Sequence, residues 1–126
     1  MKELMQYRKD TVLLIVGFGP LEREVKNNIL DNKLKGFIKF LGPKTDVTNY
    51  FNMADIFLAT SIYDHVWSST IAEAMMIGCP VVLTDVGNTS KVFTHDFDSI
   101  LVPLNQPNHT AIQLNSLLDN PEKLGS

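Results

Sequence analysis

The sequence predicts an α/β protein built on a doubly wound parallel sheet flanked by helices. Three observations predict it. Short apolar runs rich in β-branched residues alternate with helical patterns along the whole chain. Runs such as TVLLIV and IFLAT are continuous, as in strands buried on both faces of a parallel sheet. Strand and helix follow one another through short turns bearing glycine or proline, which implies right-handed crossovers.

Residues 1–9 read as the end of a helix, with Leu4, Met5 and Tyr7 on one side. TVLLIV, Thr11 to Val16, is the first strand. Gly17-Phe18-Gly19-Pro20 breaks it, and Pro20 suits the first turn of a helix. That helix carries Leu21, Val25, Ile29 and Leu30 at spacings near 3.6. FIKFLG, Phe37 to Gly42, alternates like a short strand. Pro43 to Asp46 form a loop with a helix start, and Val47, Tyr50, Phe51 and Met53 to Ala54 follow. Asp55 opens the strand IFLAT. Ser61 to Trp67 is a loop, and a helix runs from Ser68 to its stop at Gly78. PVVLT is a strand with Pro80 at its first residue. Asp85 to Asn88 is a loop, Ser90 to Thr94 a short helix, SILVP the last strand, and 108–118 the last helix.

The length of 126 residues suits one domain, 1–126. With 44% hydrophobic and 20% charged residues, the composition is that of an ordinary globular domain. A formal charge of −3 offers no basic face to nucleic acid or acidic lipid. The single Cys79 excludes an internal disulfide and reads as a buried thiol. His65, His95 and His109 are dispersed and make no zinc pattern. No apolar run reaches the roughly 20 residues of a membrane span, and the polar N-terminus is no signal peptide. A cytoplasmic protein is expected.

In a doubly wound sheet, ligands bind beyond the carboxyl ends of the strands. The loops Gly17–Pro20, Gly42–Asp46, Ser61–Trp67 and Asp85–Asn88 all fall there. VGFGP, with Gly17 and Gly19, could bring backbone N–H groups and a helix N-terminus to a phosphate. It fits a plain tight turn equally, lacking the third glycine of a dinucleotide site and the G-K-[ST] of a P-loop. Ser68, Ser69 and Thr70 stand at a helix start, where they could meet an anion or simply cap the helix.

Glu73 is the sharpest feature. Apart from His65, it is the only acidic or basic residue between Asp64 and Asp85, in a helix that looks apolar on nearly every face and buried. Thr70-x-x-Glu73 matches a capping box. Alternatively, the two acceptor oxygens of a carboxylate suit the cis hydroxyls of a ribose. Asp64 and His65 read either as sugar-hydroxyl ligands or as solvated loop, and Asp85 and Asn88 as turn and capping residues.

The segments LLIVGFGPLEREV, IKFLGPKTDVTNYFNMADIFLATSIYD, IAEAMMIGCPVVLTDVGN and ILVP together resemble the group one glycosyltransferases, over about Val12 to Gly125. The resemblance implies the Rossmann-like C-terminal, donor-binding half of a GT-B fold, N-terminally truncated and lacking its first strand. It implies a retaining enzyme that moves a hexosyl group from a nucleoside-diphosphate sugar to a glycan or lipid-linked acceptor. Ribose binding falls on Glu73, diphosphate binding on Ser68 to Thr70, and the base is framed near Pro43 and Lys44. The family places an acid before the Glu with seven residues between them, in contact with the transferred sugar. Here Asp64 precedes Glu73 by eight intervening residues, and His65 holds the position that seven would give.

No metal or other cofactor is expected, the nucleotide sugar being the donor substrate. The partners implied are that sugar and a missing N-terminal acceptor domain or partner chain. Peripheral membrane association, where it occurs, would run through that half. With a strand missing, TVLLIV should pair directly with DIFLAT or a partner chain should fill the gap. The isolated chain is expected to be inactive. Its rivals are a non-catalytic binding module of the same fold and one half of a nucleotide-sugar epimerase.

Overall fold

A computed structural model describes residues 1–120 and Glu122. The chain forms two compact units, Met1–Asp46 and the residues from Val47 on.

In the first unit, a single 3-10 turn at Leu4–Gln6 stands where a longer helix end is expected. So short a segment makes too few internal hydrogen bonds to propagate a helix. Strand β1 (Leu13–Val16) pairs in parallel with β2 (Ile38–Gly42), in the register Leu13 to Ile38 and Val16 to Gly42, with a bulge after Ile15. Helix α1 (Glu22–Asp31) makes the crossover. It starts two residues after Pro20, so the proline precedes the helix rather than opening it. Of its apolar positions only Ile29 is fully buried, while Leu21 and Leu30 are exposed.

The second unit runs α2 (Thr48–Met53), β3 (Phe57–Ala59), α3 (Ser69–Ile77), β4 (Val81–Thr84), α4 (Thr89–Val92), β5 (Ile100–Val102) and α5 (Pro107–Asp119). Its sheet is parallel with the order β3-β4-β5. Strand β4 is central and buried at all four residues. Alternation along it sends side chains to two cores. Val81 and Leu83 pack with Phe51, Ile71, Ala74, Cys79 and Phe93, on the side of α2 and α3. Val82 packs with Ile100, Val102 and Leu117, on the side of α5. A fully buried Val, Leu or Ile side chain among them contributes about 1.5–3 kcal/mol. Phe51 and Phe57 meet edge to face at 5.3 Å.

Among the described residues β1 pairs only with β2, and β3 only with β4. The described ladders are thus a two-stranded parallel sheet, β1-β2, and a three-stranded one, β3-β4-β5, and neither holds a pairing of TVLLIV with DIFLAT. With one strand neighbour, β1 is half-buried along its length instead of buried on both faces.

Candidate functional site

The strand ends of the first unit carry Gly17 and Gly42. Gly17 N–H donates to Gly42 O at 2.9 Å, joining the two loop starts. Gly17 has φ +134° and Gly42 φ +70°, both outside the range of ordinary L-residues. A Cβ at Gly17, Gly19 or Gly42 would meet nothing within 4 Å, so conformation, not crowding, calls for glycine at 17 and 42. Beyond Gly42, Pro43 and Lys44 are exposed. The first turn of α1 carries Glu22 and Glu24, with Glu22 bonded to Lys26 at 2.6 Å. Two carboxylates at a helix N-terminus already answer its partial positive charge and oppose a bound phosphate. The turn reading of Gly17–Pro20 is the one this geometry favours.

The second unit offers the contrast. The N-cap of α3 is Ser68, extended at φ −69° and ψ 120°, and its hydroxyl makes no capping bond. No acid lies in the first turn. Among the described residues, the N–H groups of Ser69, Thr70 and Ile71 have no acceptor. Ser69 and Thr70 are exposed. The helix thus presents three unanswered N–H groups and two hydroxyls, the makings of an anion site.

Glu73 follows one turn after Ser69, on the face it shares with Ser69 and Thr70. It is exposed, and among the described residues it has no hydrogen-bond or ion-pair partner. The capping box does not form. With Ser68 as cap, Thr70 is the second helical residue and Glu73 the fifth, too far along to reach back. Nor is α3 buried all round: Ile71 and Ala74 face the core, while Ala72, Glu73 and Met76 face out.

The loop leading into α3 is tied down. Thr84, at the end of β4, donates its hydroxyl to Ser61 O. His65 is 8% exposed and its Nε2 lies 3.0 Å from Thr84 O. Asp64 accepts from Val66 N–H at 3.2 Å through Oδ1, and from Asn88 N–H at 3.1 Å and Asn88 Nδ2 at 2.8 Å through Oδ2. The Val66 and Asn88 donors hold its carboxyl below the usual carboxylate range. Of the two residues that the spacing leaves open, His65 is thus inside the fold and Asp64 at its surface.

Asn88, read from sequence as a capping residue, spends its side chain on Asp64, a pairing across 24 positions that no local pattern could announce. Trp67, at 94% exposure, stands free beside the α3 terminus. Cys79 is buried as expected, and burial pushes its thiol pKa up. One Asp-x-Asp pair, Asp96-Phe97-Asp98, is engaged locally. Asp98 accepts from Thr94 N–H at 2.8 Å, and Asp96 lies 3.4 Å from His95 Nε2. Among the described residues no three metal-binding side chains converge, and no helix is long and apolar enough to cross a membrane.

Parallel strands joined by helices, with an open helix N-terminus after β3, define a Rossmann-like α/β protein. The chain belongs to the glycosyl transferases of group 1, whose family model matches residues 1–125. It is 30% identical over 97 residues to the UDP-Gal:alpha-D-GlcNAc-diphosphoundecaprenol alpha-1,3-galactosyltransferase of Escherichia coli, covering 76% of this chain and 25% of that one. To the amylovoran biosynthesis glycosyltransferase AmsK of Erwinia amylovora it is 30% identical over 96 residues, 71% of this chain and 24% of the other. The chain therefore spans about a quarter of these relatives. Among solved structures, Anabaena HepE in complex with UDP and glucose superposes with a TM-score of 0.87 at 23% identity, over 97% of this chain and 35% of that one. TarM superposes equally well, at 0.87 and 19% identity, over 98% of this chain and 25% of its own. The likeness gives this chain the fold of one part of those longer chains, the Rossmann-like half of a GT-B fold.

Proposed function

We propose that the second unit binds the nucleoside-diphosphate part of a sugar donor, and that the chain serves as the donor-binding part of a glycosyltransferase. The free N–H groups of Ser69, Thr70 and Ile71, with the hydroxyls of Ser68 to Thr70, receive the diphosphate. Glu73 accepts from the ribose diol. The observation that carries this is the pairing of an acid-free α3 terminus with an exposed carboxylate one turn along, both without a partner among the described residues.

The E. coli relative's name specifies UDP-Gal, and HepE holds UDP, so uridine is the base we favour. In the complete enzyme the donor's hexosyl group passes, with retention, to a glycan or lipid-linked acceptor held by a further domain or partner, on the cytoplasmic side. This chain's residues bind and orient the donor, and by themselves transfer nothing. No metal or other cofactor is assigned.

Calorimetric titration with UDP, GDP and ADP tests the reading. Binding of one of them, weakened roughly ten- to a hundredfold in Glu73→Ala, is the expected result, the scale of a hydrogen bond to a charged group. Equal affinity of the wild type and variant would remove Glu73 from the site.

A further inference from the structure

We infer that Asp64 is a positioning residue, a staple that joins the Ser61–Trp67 loop to Gly87-Asn88 and so fixes the start of α3. This rests on the reading of α3 as the diphosphate site. It departs from the role in which the acid of this loop touches the transferred sugar.

Both carboxylate oxygens are engaged within the chain. Oδ1 accepts from Val66 N–H, in its own loop, and Oδ2 accepts twice from Asn88, in the loop after β4. Each oxygen has about two lone-pair sites, so Oδ2 is filled and Oδ1 half filled. The neighbouring glycine is cut to fit. Gly87 has φ +58°, and a Cβ there would lie 2.6 Å from Asp64 Cβ and 2.7 Å from its Cγ and Oδ2. Contacts that close do not occur, so the carboxylate can rest against this backbone only if residue 87 is glycine.

The staple leads directly to the helix. His65, the next residue, accepts at its carbonyl from the N–H of Ser68, the N-cap of α3, at 3.0 Å. Fixing Asp64 therefore fixes the bend from which the first turn of α3 departs. A displacement of this bend would move all three diphosphate donors together, which is why one surface carboxylate could govern the affinity of a ligand it does not touch.

Asp64→Asn is the decisive variant, because it keeps the shape and puts an NH2 where an oxygen now faces N–H donors. Asn88→Ala is the milder companion, removing only the side-chain bond at an exposed position. Two measurements are made on the purified chain and its single and double variants: amide hydrogen exchange, and affinity for UDP and for UDP-glucose. The inference expects faster exchange at Val66, Ser68 and Asn88 in Asp64→Asn. It expects UDP and UDP-glucose to weaken by the same factor, about tenfold, with the double variant no worse than Asp64→Asn alone. Loss of UDP-glucose affinity with UDP unchanged would make Asp64 a sugar ligand and overturn the inference. So would unchanged exchange at Ser68 and Asn88. Should the wild type bind no nucleotide, the donor reading fails, and the exchange data still decide whether the staple exists.

Discussion

His65 is locked to Thr84: its ring Nε2 lies 3.0 Å from the Thr84 carbonyl oxygen, inside the fold. A carbonyl can only accept, so Nε2 is the donor of this bond. Nδ1 is buried and has no partner among the described residues. The histidine thus makes one good bond at the cost of one buried ring nitrogen left unanswered among the described residues.

That arrangement fixes what truncation should do. His65→Ala removes the bond, leaves the Thr84 carbonyl without it, and opens a cavity at the end of β4. Destabilisation of about 2–3 kcal/mol is expected, from the lost bond and the void together. Urea unfolding followed by circular dichroism checks it, read as a lower midpoint at unchanged slope. An unchanged midpoint would mean that the ring is dispensable to the loop.

Acid should act partly through Asp64. Its folded pKa lies below the ordinary 3.8, chiefly through the Val66 N–H bond and then the Asn88 amide. A depressed carboxyl stabilises the fold above its unfolded pKa, and the contribution fades as pH falls through the folded value. The staple is therefore intact at pH 5–7 and loses its contribution below about pH 4. Asp10 adds to the same limb, its carboxyl pulled down to about 2 by the paired bonds from Arg8, 2.7 Å to Oδ1 and 3.0 Å to Oδ2. Because that pair is exposed, salt should screen it. Urea midpoints measured from pH 7 to pH 2.5 should fall less steeply below pH 4 in Asp64→Asn than in the wild type. Parallel curves would show that Asp64 gains nothing from its donors in solution.

Local chemistry explains what the sequence made legible. The β3–α3–β4 passage is readable because an apolar helix ends at Gly78, which sits at φ +85° and stops it, and Val81 to Thr84 then form a strand buried at all four residues. The candidate donor residues Ser68 to Thr70 follow from the same passage. What was not legible depends on partners far away in the chain. Which neighbour a strand takes is decided by which strand edges meet, not by the residues within the strand. Asp64 looks like a free loop acid until Asn88 is brought beside it. Glu73 illustrates a subtler limit. Thr70-x-x-Glu73 matches the capping pattern letter for letter, but the helix begins two residues earlier than that pattern needs.

The register of α3 gives Glu73 a test that separates stability from recognition. A carboxylate in a true capping box holds an N–H of the helix end, and its loss costs about 0.5–2 kcal/mol. Here Glu73 is the fifth residue of the helix, exposed and unpartnered among the described residues. Alanine is the better helix former, and surface changes away from special contacts stay within about 0.5 kcal/mol. Glu73→Ala should therefore unfold at the wild-type urea concentration or slightly above it. A carboxylate with no partner among the described residues, beside the proposed diphosphate site, is what the donor reading requires of Glu73. Should the variant instead lose a kilocalorie or more of stability without nucleotide present, Glu73 would be holding the helix end after all. The uncommitted acceptor on α3, on which the donor site depends, would then be gone.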